Sequence, residues 1–236
     1  MSGKMYRSDY VVSQGEQPSI PVAGGAVYPV RHIYCVGRNY AEHSREMGAD
    51  PDREPPFFFM KAADCVESSG TQIKYPPRTE NLHHEVELVV AVGRSGADIP
   101  VSEAADHIFG YAVGVDLTRR DLQQAMKEKG RPWEIGKSFS QAAPVGEIQP
   151  AWNVGHPREG KISLSVNGEL RQEGDLKDMV WGVNEVIAEL STYYKLEPGD
   201  LVFTGTPAGV GALVRGDAVS CTIDSLEPLE FSIAAI

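Results

Sequence analysis

Glu85, Glu87 and Asp116 are carboxylates set at the ends of apolar runs. Glu85-Val86-Glu87 opens the run Leu88-Val89-Val90-Ala91-Val92, and Asp116 closes a second run from Ile108 to Val115. Side chains alternate faces along a strand, so Glu85 and Glu87 point the same way, about 7 Å apart along the chain. Two acids facing together at the mouth of a Val-rich strand repel, and burying them unpaired is costly. A divalent cation removes both difficulties. Carboxylate oxygens, with positions left for water or substrate, suit Mg2+ or Mn2+. The alternative on spacing alone is a solvated strand end with three unrelated acids.

A second group is His43-Ser44-Arg45-Glu46. On a helix, positions i and i+3 share a face, so His43 and Glu46 can touch. A carboxylate beside an imidazole raises its basicity, which makes a pair able to take a proton from water. An exposed helical ion pair has the same spacing, and spacing alone favours that reading. The polar, proline-bearing stretch from Gly48 to Pro56 is compatible with a mobile lid over such a pair. Lys61 and Lys137 adjoin the apolar stretches Phe57–Met60 and Trp133–Phe139. Each is either a cation poised for a developing enolate or a lysine that snorkels to water. Thr204-Gly205-Thr206-Pro207-Ala208-Gly209-Val210-Gly211 is a glycine-rich turn, but neither a Walker A sequence nor a GxGxxG fingerprint. His83 and His84 lack HExxH spacing and read as supporting residues rather than metal ligands.

These groups need a scaffold of 236 residues, long enough for one large domain with a short arm. The expected division is an N-terminal arm over 1–30, broken by Pro18, Pro21 and Gly24-Gly25, and a catalytic domain over 31–236. With 24 glycines and 16 prolines the chain has many turns, as a sandwich or barrel-like fold does. Strands are expected at His32–Val36, Phe57–Met60 (short and buried), Ile162–Val166, Leu170–Gln172, Leu201–Thr204, Ala218–Ile223 and Glu230–Ala234. Asn167-Gly168 signals a hairpin. Helices are expected from about Asn39 to Met47, from a Thr118 cap with a capping-box Asp121 to a stop at Gly130, and from Val183 to Tyr194. The alternation is not a regular βαβ pattern, so a mixed, predominantly β roll with a few short helices is expected.

Composition narrows the function. A net charge of -11 with no offsetting basic stripe argues against nucleic acid. An anionic substrate stays open, because a bound metal and a few cations set the local field. No segment approaches a membrane span and the start has no apolar leader core, so a cytoplasmic protein is expected. Cys35, Cys65 and Cys221 match no zinc or disulfide framework and are expected in the core.

Seven motifs, in order, resemble the fumarylacetoacetate hydrolase family. They are Arg38-Asn39-Tyr40-Ala41-Glu42-His43 with Glu46, Phe59-Met60-Lys61, His84-Glu85-Val86-Glu87-Leu88, Gly114-Val115-Asp116, Arg119-Arg120-Asp121 with Gln123, Gly136-Lys137-Ser138-Phe139 and Thr204-Gly205-Thr206-Pro207. The likeness runs from about residue 31 to 226. Met60 departs from the small or polar residue that relatives often carry. Loops such as Arg53–Phe59 and Gly130–Trp133 look most like those of family members that hydrolyse fumarylpyruvate in gentisate breakdown.

The resemblance implies Glu85, Glu87 and Asp116 as ligands of Mg2+ or Mn2+. It implies His43 and Glu46 as the water-activating pair, and Lys137 as the cation near the reacting carbon. Gln123 and Thr206 would position substrate, with Arg120 and Lys61 as further oxygen contacts. It implies a β-roll, a small 2-oxo acid substrate and a homodimer. Oxaloacetate decarboxylation, dienoate isomerisation and non-catalytic metal binding are the other readings.

Overall fold

The computed structural model describes residues 11–12, 15–40 and 55–235. Its centre is Val86–Val92, a strand with every residue buried. An apolar run without polar alternation is what a strand covered on both faces requires. Ile108–Val115 pairs with it antiparallel on one side and Asp200–Phe203 on the other. His32–Gly37 runs parallel to Asp200–Phe203, and Phe57–Lys61 closes that edge antiparallel. Ala143–Val145, Val66–Ser68 and the short Gln149–Pro150 complete an eight-stranded sheet.

A five-stranded sheet packs against it, in the order Glu169–Asp175, Lys161–Val166, Ala218–Ile223, Leu229–Ile233, Gln72–Ile73. Burial alternates along Lys161–Val166, as expected for a sheet with one wet face. Its inward residues Ile162, Leu164 and Val166 join the same core as Val86–Val92. A small sheet of Thr118–Arg119, Leu82–His84 and Gly211–Leu213 lies beside the acids. The architecture is the expected mixed, predominantly β roll. The Asn167-Gly168 hairpin and the Val183–Tyr193 helix form as read, and the three cysteines are buried and free. No helix among the described residues is long and apolar enough to cross a membrane.

Local signals misled in a few places. Pro21 and Gly24-Gly25 do not prevent regular structure, because Ser19–Val22 and Ala26–Pro29 form a hairpin. Gly24 and Gly25 supply its turn at φ +93° and +90°, and Pro21 lends its carbonyl to Ile148 N–H. Phe57–Lys61 is an edge strand with only Lys61 buried. Thr118 caps no helix. It lies in a strand with its hydroxyl donating to Asp116 O, and the helix is Arg120–Glu128. Asp121 instead accepts from Thr79 Oγ1, Glu80 N and Leu122 N, which pins a neighbouring loop. Asn39 is not helical and Tyr40 bridges to Met179. The remainder of the expected Asn39–Met47 helix lies outside the described residues.

Candidate active site

Strand direction explains why the acids meet. The C-terminal ends of His32–Gly37, Asp200–Phe203 and Ile108–Val115 lie along one end of the sheet, beside the starts of Val86–Val92 and Phe57–Lys61. Asp116 N–H donates to Glu85 O at 2.8 Å, which carries the ladder one step past the strands and sets the two acids side by side. Glu85, Glu87 and Asp116 are all buried, and one oxygen of each lies within 4.8 Å of the others.

Cations surround this triad unevenly. Lys137 Nζ donates to Glu85 Oε2 at 2.8 Å, Asp116 Oδ2 at 2.6 Å and Thr118 Oγ1 at 2.8 Å. All three ammonium protons are therefore engaged. Burial works to lower the Lys137 pKa, but the Asp116 and Glu85 charges outweigh it and hold it above its ordinary value. Arg120 Nη2 donates to Glu85 Oε1, and its Nη1 donates to Gln123 Oε1 at 2.6 Å, one turn along the helix. Lys61 Nζ stands 2.7 Å from Asp116 Oδ1 and donates to Leu117 O at 3.1 Å. It is buried beside Asp116 and braces that acid.

Glu87 differs from its two neighbours. Among the described residues no cation forms an ion pair with it, and Gly205 N–H donates to its Oε2 at 2.6 Å. Burial first, then the Asp116 and Glu85 charges, hold its pKa well above the ordinary carboxylate range. Three convergent buried carboxylates, one of them on an acid with no ion-paired cation among the described residues, fit Mg2+ or Mn2+.

Glu85 and Glu87 line a cavity whose walls also include Arg120, Gln123, Lys137 and Thr206, with Asp116 buried beside them. The structure thus brings together the expected metal ligands, Lys137 and three of the expected substrate contacts. His43 and Glu46 lie outside the described residues, as does most of the stretch from Gly48 to Pro56.

Gln172 went unnoticed in the sequence. It is 1% exposed although it sits among Glu169, Arg171 and Glu173. Its Oε1 accepts from Val86 N at 3.1 Å, and its Nε2 donates to Pro207 O at 3.0 Å, so these backbone groups fix which way the amide faces. The same Oε1 then takes the Nδ1–H of His84 at 2.8 Å, and Nε2 donates to Thr206 Oγ1 at 2.8 Å. Thr206 keeps its own proton for another acceptor. Burial holds His84 below its ordinary pKa and takes His83 down to about 4, so both are neutral supports at pH 7. The only sequence signal for Gln172 is its position in an alternating strand.

The Fumarylacetoacetate (FAA) hydrolase C-terminal family matches residues 32–234, and the chain belongs to that family. Within it, the chain is 42% identical to the fumarylpyruvate hydrolase of Ralstonia sp over 189 residues, 79% of this chain and 98% of that protein. It is 40% identical to the mitochondrial oxaloacetate tautomerase FAHD1 of Rattus norvegicus over 203 residues, 86% of this chain and 91% of that protein. The fumarylpyruvate hydrolase of Pseudomonas aeruginosa, crystallised with Mn2+ and pyruvate, superposes with a TM-score of 0.94 at 50% identity. That match covers 97% of this chain and 100% of the other.

Proposed function

We propose that this protein is a metal-dependent acylpyruvate hydrolase that converts fumarylpyruvate and water to fumarate and pyruvate, a step of gentisate breakdown. The observation that carries the reading is the buried Glu85, Glu87 and Asp116 triad beside a cavity, with Lys137 bridging Glu85 and Asp116. Similarity to the Ralstonia and Pseudomonas hydrolases supports the substrate. The triad would hold Mg2+ or Mn2+, which when bound polarises the 2-oxo acid end and stabilises negative charge there by several kcal/mol.

The chain's own groups divide the remaining work. His43, supported by Glu46, takes a proton from water, and the resulting hydroxide adds to the keto carbon distal to the carboxylate. The bond between that carbon and the pyruvate methylene breaks, and its electron pair leaves as an enolate that a proton then quenches. Lys137 supplies positive charge beside that enolate; any substrate oxygen it contacts takes the place of one of its three present acceptors. Thr206, held by Gln172, and Gln123, held by Arg120, orient the substrate oxygens. The proposal extends to a cytoplasmic homodimer, the state the family resemblance implies, and sedimentation velocity checks the assembly.

A second reading keeps the site and changes the reaction to enolisation of oxaloacetate; the relative from Rattus norvegicus favours it. The ultraviolet absorbance of fumarylpyruvate, followed with Mg2+ or Mn2+ and again after chelation, decides between them. Metal-dependent decay to fumarate and pyruvate supports hydrolysis. Inertness of fumarylpyruvate with turnover of oxaloacetate supports the second reading.

A further inference from the structure

We infer that Lys61 is a positioning residue that confines Asp116 to ligation through one oxygen, making the triad selective for octahedral Mg2+ or Mn2+ over Ca2+. The inference rests on the proposed metal site, specifies how this chain chooses the ion, and does not depend on which 2-oxo acid is turned over. Lys61 is the one buried residue of its edge strand, Phe57–Lys61, and its side chain is fully enclosed. A lysine buried this deeply is costly unless paired. Its Nζ donates to Leu117 O at 3.1 Å and to Lys137 O, and stands 2.7 Å from Asp116 Oδ1. The two carbonyls hold the ammonium in place, so the Asp116 carboxylate cannot rotate without losing its ion pair.

The other two acids are held in the same way. Arg120 Nη2 donates to Glu85 Oε1, and Gly205 N–H donates to Glu87 Oε2 at 2.6 Å. Arg120 is itself steadied by Gln123 Oε1 at 2.6 Å and His83 Nδ1 at 3.3 Å. Each acid therefore has one oxygen fastened to a donor from a different element: a strand, a helix and a turn. The second oxygens of Glu85 and Asp116 converge, since Lys137 Nζ meets Oε2 of one at 2.8 Å and Oδ2 of the other at 2.6 Å.

This arrangement separates two kinds of cation. Mg2+ takes an octahedron of oxygens, so three acids giving one oxygen each suit it and leave room for water or substrate. Ca2+ takes up to about eight oxygens at longer distances and commonly draws both oxygens of a carboxylate. Here the second oxygen is already paired. Drawing on Asp116 Oδ1 would set Ca2+ against the Lys61 ammonium, with both charges buried. Lys61 is held by two backbone carbonyls and enclosed on all sides, so it cannot move aside as a surface lysine would.

The test is calorimetry of Mn2+ and of Ca2+ on chelator-stripped protein, wild type against Lys61→Met. The ratio of the two affinities is the readout, because removing a positive charge or loosening the fold changes binding of both divalent ions alike. Wild type should bind Mn2+ at least about 100-fold more tightly than Ca2+, and Lys61→Met should cut that ratio by about 10-fold or more. An unchanged ratio in a variant folded by circular dichroism reduces Lys61 to a structural brace and overturns the inference. If Lys61→Met does not fold, infrared difference spectra of Mn2+ binding to wild type with isotope-labelled aspartate decide. A one-oxygen carboxylate signature sustains the inference, and a two-oxygen signature overturns it. Selective Mn2+ binding without turnover of any 2-oxo acid would end the hydrolase reading alone, whereas no Mn2+ binding would end both.

Discussion

Gly205 donates its backbone N–H to Glu87 Oε2 at 2.6 Å, joining the turn after one strand to the only triad acid without a cation among the described residues. The turn has no slack. Gly205 has φ +97°, and a Cβ there would lie 2.7 Å from Asn39 Cβ. Asn39 is itself locked by hydrogen bonds to Trp181 and to Thr204 O.

Gly205→Ala should therefore destabilise the fold by about 1–3 kcal/mol and weaken metal binding, since the displaced turn no longer orients Glu87. Chemical denaturation and Mn2+ calorimetry check the two effects. A variant that binds Mn2+ as wild type does would separate the turn from the metal site.

The raised pKa of Glu87 sets a pH dependence with a definite sign. Its ordinary value is 4.5 and the fold raises it, so its contribution to stability is complete below 4.5 and is lost as pH rises through the folded value. Chelator-treated protein should melt at lower temperature as pH rises above 4.5, and saturating Mn2+ should flatten that slope. Metal binding should also release protons, which calorimetry in buffers of different ionisation enthalpy measures.

Lys137→Met removes the ammonium that bridges Glu85 and Asp116. Mn2+ affinity should hold or rise, because a competing cation is gone, while kcat falls by about 100-fold or more. Parallel loss of metal affinity and rate would make Lys137 a structural brace rather than a participant.

Gln172→Leu strands Val86 N–H and Pro207 O and frees Thr206 and His84. Loss of stability should be about 2–3 kcal/mol. If Gln172 positions Thr206, KM for the 2-oxo acid should rise at temperatures where the variant is fully folded. An unchanged KM would reduce Gln172 to a fold-holding role.

Much of this site is readable from residue order because period-2 alternation alone puts Glu85 and Glu87 on one face, and a long apolar run identifies its strand. Asp116 joins them through strand pairing, which the family pattern indicates. Other parts depend on packing that no local signal carries. Gln172 looks like a wet hairpin residue until its strand packs against His84, Val86 and Thr206. Thr118 has the form of a helix cap, yet its hydroxyl is drawn to Lys137 and the helix starts two residues later. The apolar run before Lys61 leaves its partner unnamed, and only the fold shows it ion-paired with Asp116. Pro21 reads as a breaker, yet its missing N–H does not keep it from pairing opposite Val27.

The most direct test is to titrate Mn2+ into chelator-stripped protein while following fumarylpyruvate absorbance, in wild type and in Asp116→Asn. Decay should appear in proportion to the first equivalent of Mn2+ bound, with fumarate and pyruvate as products. The Asp116→Asn protein, folded by circular dichroism, should show neither tight binding nor decay. Full turnover in the stripped protein, or binding and turnover unaffected by the substitution, would contradict a catalytic metal held by Glu85, Glu87 and Asp116.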